Sequence, residues 1–288
     1  MSQARRIPPH AYFLVSAAFH YLGPAFAVLL FSSVSVLGVA WLRIATAAVV
    51  FAAWRRPWRA FASATSSTRW LLLAMGVVLG LMNASFYLAI SRIPLGTVGA
   101  IEFIGPIALA AAGSRTLRNI AALALAAAGG WLLTDVRLGG ELTGFLFAFA
   151  NCGLFVLYVV LGHRMARDGG ATGIDRLGAA MLVALLTITP LGLLDALPVF
   201  DKPSLLLAGI GVGICSSVIP YVTDQLAMAR LPRATFALML SILPAAAAII
   251  GACILGQIPT LVEGAGILLV AAGVAVHRER DASPGARN

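Results

Sequence analysis

Long apolar runs separated by short polar connections make up nearly the whole chain. Each run is close to the roughly 20 apolar residues that a helix needs to cross a bilayer. The ten runs lie near residues 11 to 31, 34 to 54, 70 to 91, 95 to 113, 118 to 134, 142 to 162, 177 to 197, 204 to 226, 234 to 255 and 260 to 276. The pattern predicts an all-α polytopic membrane protein with ten transmembrane helices and no soluble domain.

Composition places the chain in a lipid bilayer. Of its 288 residues, 60% are hydrophobic and 11% are charged, and the mean hydropathy is +0.96, values far from those of a soluble domain. The first run follows Arg5 and Arg6 and so resembles a signal peptide, but nothing like a soluble mature domain comes after it. We therefore assign this run as the first span.

A duplicated unit accounts for most of the chain. The segment YLAISRIPLGTVGAIEFIGPIALAA, from Tyr87, returns 138 residues later as QLAMARLPRATFALMLSILPAAAAI, from Gln225. Identical pairs include Leu88, Ala89, Arg92, Pro94, Thr97 and Pro106 with Leu226, Ala227, Arg230, Pro232, Thr235 and Pro244. We predict a first five-helix repeat over 1–137, a second over 138–280 and a disordered tail over 281–288.

The two repeats should enter the membrane from opposite sides, because five spans are an odd number. With a cytoplasmic N-terminus, 16 of the 20 basic residues fall in cytoplasmic segments and three, Arg92, Arg137 and Lys202, fall in outer loops. This agrees with the retention of positive charge on the cytoplasmic side. We predict inverted repeats with both termini cytoplasmic, an arrangement that places a substrate site near the midplane and gives alternating access. Duplication kept only for packing is the alternative.

Two GxxxG pairs predict close helix packing. Gly76 and Gly80 lie on the third span, and Gly209 and Gly213 lie on the eighth. Glycines at this spacing let helix backbones approach closely. Contacts within one chain are the favoured interpretation, and formation of a homodimer is the other.

Prolines mark predicted hinges or helix breaks inside the spans. Each proline lacks an N–H and so leaves one carbonyl without its helical donor, which neighbours or a wet cavity must satisfy. The positions are Pro24, Pro106, Pro190, Pro220 and Pro244. Because Pro106 and Pro244 are repeat mates, the fourth and ninth spans are predicted to contain a hinge or a half-helix.

Three ionisable side chains fall inside predicted spans, where each costs at least about 2.5 kcal/mol. Glu102 lies one turn before Pro106 and is interpreted as a site for a substrate ammonium group or a proton, with a structural ion pair as the alternative. Arg43 suits either a bound carboxylate or a fixed pair with Glu102 or Asp224. Asp224 is interpreted as a solvated helix end beside Arg230.

Neutral polar side chains form a second pattern. Asn83 and Tyr87 share one face of the third span, and 138 residues later Tyr221 and Gln225 share one face of the eighth. Amide and phenol groups at matched heights suit a zwitterionic or hydroxylated solute. Hydrogen bonding between helices is the alternative.

Three further polar side chains are weaker candidates. His20, beside Tyr21 and the Gly23 and Pro24 break, could carry a proton near neutral pH, although a packing role is more common for a lone histidine in a span. Asn151 and Tyr158 lie seven residues apart on the sixth span and form a weaker pair of the amide and phenol kind.

Missing signatures exclude several classes of protein. The chain has no GxxxxGK[ST], HExxH or GxSxG motif and no paired metal-ligand spacing, so we predict no enzyme activity, no cofactor and no metal. The net charge of +9 is not clustered on one polar face, which argues against nucleic acid as a partner. Cys152, Cys215 and Cys253 lie inside spans and are predicted to be small buried side chains. Transport would then draw on an ion gradient or on the gradient of the solute.

The repeated segments resemble a known family. IPLGTVGAIEFIGPIALA and LPRATFALMLSILPAAAAIIG, with GVAWLR, RRPW, MNASFYLAI and SSVIPYVTDQLAMARLP, are similar to the EamA-type drug/metabolite transporters and, among them, to the threonine/homoserine exporters of the RhtA kind. The resemblance implies a two-repeat, ten-helix inner-membrane exporter with proton antiport. It also implies that Glu102, Gly105 and Pro106 lie in a central cavity, with Arg43 nearby. The first span departs from those exporters, since FHYLGPAF stands in place of a stretch rich in glutamine and glycine.

These observations predict an exporter of small amino acids, such as threonine or homoserine, or of related metabolites. Its partners would be the small solute, protons and the bilayer. An exporter of drugs or other metabolites with the same fold is the first alternative. A membrane sensor or assembly subunit that does not transport is the second, although nothing outside the membrane is large enough to signal through.

Overall fold

The computed structural model describes residues 9–113, 116–135, 141–166, 170–228 and 243–276, and within these ranges it is helical, with no strand. The helices are α1 (Pro9–Leu30), α2 (Val36–Arg55), α3 (Pro57–Ala62), α4 (Ser66–Ile90), α5 (Leu95–Gly113), α6 (Leu117–Asp135), α7 (Leu142–Ala166), α8 (Gly170–Ala196), α9 (Pro203–Gly213), α10 (Ile219–Met228), α11 (Leu243–Leu255) and α12 (Leu261–Val276). A 3₁₀ turn, Leu197–Val199, follows α8, and a π-helical turn, Ile214–Val218, joins α9 to α10.

Five helical segments are long and apolar enough to cross a membrane by themselves. They are Val36–Arg55, Ser66–Ile90, Leu142–Gly162, Thr172–Val199 and Pro203–Asp224. Five shorter apolar segments accompany them: Leu14–Leu30, Leu95–Gly105, Leu117–Leu133, Leu243–Leu255 and Leu261–Val276. A polytopic, all-helical membrane protein is therefore confirmed, while the count of ten crossings stays a prediction.

Two helix boundaries differ from those predicted from the sequence, and some predicted features lie outside the described residues. The predicted loop after the second span contains the short helix α3, which begins at Pro57 because proline suits the first helical turn. Helix α8 begins at Gly170, ahead of the predicted start at 177. Arg230, the first part of the ninth span and the tail over 281–288 lie outside the described residues.

The eighth span is not one regular α-helix. Helix α9 ends at Gly213, and in the following turn the Ile219 N–H donates to the Ile214 carbonyl, five residues back. Pro220 accounts for the change, because its missing N–H removes the α-helical donor of the Ser216 carbonyl. A single π turn of this kind inserts one residue into a helix and is often found at functional sites.

Three predicted helix breaks are wrong as interruptions. Helix α1 continues through Pro24, α5 continues through Gly105 and Pro106 to Gly113, and α8 continues through Pro190 to Ala196. A proline removes one hydrogen bond and still fits an α-helix that resumes on both sides. A bend at each of these sites stays a prediction, and Pro244 is the second residue of α11 as described.

The GxxxG pairs pack inside the chain. A Cβ at Gly80 would lie 2.9 Å from the Thr187 Cβ, so α4 meets α8 there, and a Cβ at Gly213 would lie 3.0 Å from the Arg43 carbonyl, so α9 meets α2. Gly76 likewise faces α8 and Gly209 faces α2. The intrachain interpretation is confirmed, and a homodimer stays a prediction.

Helix contacts recur in two matching sets. Helix α1 packs on α9, the π turn and α10, and α7 packs on α4. Helix α2 likewise packs on α9, while α8 packs on α4. The pairs α2 with α8, α5 with α11, and α6 with α12 complete the bundle. If α1, α2, α4, α5 and α6 are the first five spans and α7 to α12 form the last five, each helix of the first set has the neighbours expected from its counterpart in the second set.

The cysteines differ in exposure and are all free. Cys152 is buried, Cys215 is half-buried in the π turn, and Cys253 is exposed. The prediction that all three are buried is wrong for Cys253. Because α11 lies in an apolar helical bundle, an exposed thiol there costs little beside lipid.

Helix α6 meets α12 through glycine, which gives a test of this packing. A Cβ at Gly129 would lie 2.6 Å from the Gly266 carbonyl oxygen, whereas a Cβ at Gly211 would meet no atom within 4 Å. We expect Gly129→Ala to lower stability by about 1–3 kcal/mol through overpacking. Gly211→Ala should be neutral or slightly stabilising, because alanine favours helix. Thermal unfolding in detergent measures both, and equal midpoints would contradict this account of the interface.

Candidate functional site

Glu102 is buried in the centre of the bundle and is held by neutral donors. Its side chain is 3% exposed. The Tyr21 hydroxyl of α1 donates to Oε2 at 3.3 Å, and the Asn151 amide of α7 donates to Oε1 at 3.2 Å. Three helices, α1, α5 and α7, therefore converge on one carboxyl group, and each of its oxygens retains capacity to accept another hydrogen bond.

Arg43 lies on α2 and binds the π turn. Its Nε donates to the Ser217 hydroxyl at 2.8 Å, and its Nη2 donates to the Ser216 carbonyl at 2.8 Å. The guanidinium also lies over the Tyr87 ring, 5.4 Å from its centroid, a favourable cation–π distance. Nη1 makes no hydrogen bond to the described part of the chain.

Arg43 and Glu102 do not form an ion pair. Among the described residues, Arg55 and Asp175 are the only pair within ion-pair distance, at 2.6 Å, and both are partly exposed. The alternatives in which Arg43 neutralises Glu102 or Asp224 are therefore wrong for this structure. The physical reason is that the Ser216 carbonyl, freed by Pro220, uses the guanidinium instead.

The predicted amide and phenol ring is only partly assembled. Tyr87 lies against Arg43, while the Asn83 amide donates to the Leu79 carbonyl of its own helix at 2.8 Å. Tyr221 contacts Tyr158 of α7, with ring centroids 6.1 Å apart. Gln225 lies on α10, and its side chain is outside the described set.

Tyr21 rather than His20 reaches the carboxylate. The two neighbouring rings are 5.0 Å apart and meet edge to face. Tyr21 is fully buried, whereas His20 is half-buried. The sequence indicated a polar position at this point in the first span but not which of the two adjacent side chains faces Glu102.

Asp224 lies on α10, apart from the group around Glu102. It is half-buried rather than fully solvated. On the facing helix α1, the Ser16 hydroxyl donates to the Pro220 carbonyl at 3.4 Å. Arg230, the expected neighbour of Asp224, lies outside the described residues.

Comparison with known proteins identifies the family. The chain is 34% identical over 268 residues to the threonine/homoserine exporter RhtA of Escherichia coli strain K12, an alignment that covers 90% of this chain and 88% of that protein. The same exporter from Salmonella typhimurium strain LT2 is 32% identical over 268 residues. Residues 142–277 match the EamA-like transporter family. This chain belongs to the EamA-like transporters.

A solved structure supports the fold of this EamA-like transporter. That crystal structure shares 21% sequence identity and covers 93% of this chain and 96% of its own, with a TM-score of 0.60. Because the relatives are exporters and not enzymes, we interpret the site as that of a transporter. Among the described residues, no group of three His, Cys, Asp or Glu side chains could hold a metal ion.

Three buried polar atoms of the transporter have no hydrogen-bond partner among the described residues. They are the Tyr87 hydroxyl, the Asn151 Oδ1 and the Ser216 hydroxyl. Each belongs to a residue that touches Arg43 or Glu102. An unpaired buried polar group is costly, so these three atoms, close to Arg43 or Glu102, are candidate partners for a polar solute or for water.

A separate cavity of about 510 Å³ lies at one end of the bundle. Its polar lining includes Arg92, Thr97, Gln257 and Glu263. One turn further along α5, a Cβ at Gly99 would lie 2.7 Å from the Ala247 Cβ and 3.0 Å from the Tyr21 hydroxyl. The contact of α5 with α11 and α1 thus separates this cavity from Glu102.

Two tyrosines of the site, Tyr21 and Tyr87, allow a test that needs no solute. Tyr21→Phe removes a donor from the buried Glu102 carboxylate and should lower stability by about 1–3 kcal/mol. Tyr87→Phe removes a hydroxyl that has no described partner and should be nearly neutral. Thermal unfolding of both purified variants in detergent makes the comparison. A larger loss of stability for Tyr87→Phe than for Tyr21→Phe would contradict the hydrogen bond from Tyr21 to Glu102.

Proposed function

We propose that the protein is an inner-membrane secondary exporter of small zwitterionic amino acids of the threonine or homoserine type. The observation that carries this proposal is the pairing of a similarity to threonine/homoserine exporters with a buried carboxylate and a buried guanidinium that do not bind each other. A zwitterion supplies the opposite charge to each group.

The ammonium end of the solute binds Glu102 in this proposal. The two carboxylate oxygens accept bonds from Tyr21 and Asn151, both neutral, so the negative charge is uncompensated by the protein at contact distance. An ammonium group has three donors and forms charge-assisted hydrogen bonds to such an acceptor. The neutral partners fix the orientation of the carboxyl group without competing for its charge.

The carboxylate end binds Arg43. Two of the guanidinium nitrogens are used by the π turn, and Nη1 remains for a solute oxygen. The guanidinium lies over the Tyr87 ring, and the Tyr87 hydroxyl lacks a described partner. In this proposal that hydroxyl bonds either the solute carboxylate or a hydroxyl on the solute side chain, a group that threonine and homoserine share.

Alternating access would follow from inverted repeats over 1–137 and 138–280, with ten crossings and both termini cytoplasmic. The matching helix contacts of the two halves support this arrangement. In such a cycle the contact of Gly99 with Ala247 and Tyr21 would have to open to connect Glu102 with the cavity that contains Arg92. That cavity would face the outside of the cell.

Proton antiport is explained by competition at one carboxyl group. A protonated Glu102 carries no charge to attract an ammonium group, so the proton and the solute exclude each other there. A proton would bind from the outside and leave to the cytoplasm, where the solute takes its place. This scheme needs no second ionisable site.

Counterflow tests the proposal directly. The purified protein is placed in liposomes preloaded with unlabelled homoserine, and labelled threonine or homoserine is added outside. We expect transient accumulation above equilibrium, since exchange through one site couples the two flows. Matched liposomes preloaded with threoninol, which lacks the carboxylate, should give no accumulation. Folded protein that gives none with any amino acid would overturn the proposed substrate class.

Glu102→Gln separates the ammonium role from a proton role alone. The neutral amide keeps the size of the side chain but loses the charge-assisted bond, so counterflow affinity should fall by about 10- to 100-fold. Glu141→Gln, which neutralises a carboxylate near the start of α7, is the control. Normal counterflow with loss of only proton-driven uptake would show that Glu102 binds a proton but not the solute.

A pH gradient tests the antiport and its sign. Liposomes with an interior more acidic than the medium should accumulate labelled solute, because each outgoing proton drives a solute molecule inward. Collapse of the gradient with nigericin in potassium buffer should abolish the accumulation. Uptake driven instead by an alkaline interior would indicate symport and would contradict competition at Glu102.

A further inference from the structure

The π turn contains a backbone carbonyl that cannot be satisfied by its own α-helix. Pro220 has no N–H to donate to the Ser216 carbonyl, four residues earlier. Arg43 supplies a donor at 2.8 Å from the neighbouring helix α2. A side chain from another helix thus stabilises the irregular turn.

Ser217 fixes the direction of that guanidinium. Its hydroxyl accepts from Arg43 Nε at 2.8 Å, and its side chain is fully buried. With one nitrogen held by Ser217 and one by the Ser216 carbonyl, the planar guanidinium has a single orientation over Tyr87. Nη1 is the nitrogen left for another acceptor.

A third helix closes on the same turn. A Cβ at Gly23 of α1 would lie 2.7 Å from the Ser216 nitrogen and 2.8 Å from its Cα. The turn is therefore enclosed by α1 on one side and by Arg43 of α2 on the other. The Ser216 hydroxyl, buried in this space, has no described partner.

We infer that Ser217 is a positioning residue that makes the π turn respond to the carboxylate of the solute. In the empty carrier, Ser217 and the Ser216 carbonyl hold Arg43 on the turn. A carboxylate bound at Nη1 competes for the guanidinium through a stronger, charge-assisted bond and draws it off the turn. This inference deepens the proposed function and depends on it for the identity of the solute.

Release of the turn has a defined structural result. The Ser216 carbonyl then has no donor, because Pro220 cannot supply one. The turn is no longer fixed to α2, and the helix that follows it is free to shift relative to α2. Helix α10 follows the turn and carries Tyr221, which packs on Tyr158 of α7. Binding at Arg43 would thus be coupled to the contact between α10 and α7.

Cys215 is a natural reporter because it lies within the turn and is half-buried. Alkylation by N-ethylmaleimide is followed for each cysteine by peptide mass spectrometry in the otherwise unchanged protein. Cys152 and Cys253 serve as internal references, since neither lies in the turn. The measurement is made without solute and then with homoserine.

Without solute, Ser217→Ala should raise the alkylation rate of Cys215 by about tenfold, because the turn loses one of its two bonds to Arg43. Ser217→Thr keeps the hydroxyl and should restore the rate of the unmodified protein. Thr223→Ala is the matched control, because within the described residues the Thr223 hydroxyl bonds carbonyls of its own helix, Ile219 at 2.7 Å and Pro220 at 3.0 Å. If Ser217→Ala does not fold, Arg43→Lys, which loses the guanidinium fork, replaces it with the same expectation.

With homoserine, Cys215 in the unmodified protein should react at a rate close to that of solute-free Ser217→Ala. No change in any solute-free variant would overturn the role of Ser217, whatever the substrate. A response to the variants but not to homoserine, in protein with normal counterflow, would overturn release by the carboxylate. Failed counterflow together with a solute-free response would overturn only the proposed substrate.

Discussion

The bond between the Arg43 guanidinium and the Ser216 carbonyl governs the centre of the bundle. In lipid, a carbonyl freed by a proline must find another donor, and the donor that reaches Ser216 comes from α2. This bond holds the guanidinium on the π turn, where it forms no ion pair with Glu102. Among the residues that the structure describes, Tyr21 and Asn151 are the hydrogen-bond donors to the Glu102 carboxyl group. An acidic and a basic side chain thus remain buried in one bundle without pairing with each other, an arrangement that is costly unless another group pairs with them.

Glycine residues allow the helices around this site to pack closely. Gly23 brings α1 against the π turn, Gly99 brings α5 against Tyr21 and α11, and Gly213 brings α9 against the backbone of Arg43. At each point a methyl group would meet backbone or a buried ring. The polar side chains at the centre can therefore reach across helix boundaries, because the helices that carry them are closer than larger residues would allow.

The sequence predicted the helical runs well because lipid permits little else for an apolar chain of this kind. Arg43 and Glu102 were also found, since a charge within a span is expensive and therefore informative. Tyr21 and Ser217 were not, because neutral polar residues are common in spans and one sequence does not show which way they face. The π turn was missed for a similar reason: a single inserted residue hardly changes the hydrophobic pattern. The interruptions expected at Pro24, Pro106 and Pro190 were wrong, because a missing donor need not end a helix.

The two charged groups are unequally distributed between the two predicted repeats. Arg43 and Glu102 both belong to the first half, and the residues 138 positions later are Met181 and Leu240. A rocking motion that exchanged the shapes of the two halves would not exchange their charges. The two end states of such a motion therefore differ in free energy even when the carrier is empty. Near-symmetric geometry with one-sided chemistry would give the empty carrier a preferred resting orientation, so the solute would meet an open site more often on one side of the membrane, while the gradients would still set the direction of net transport.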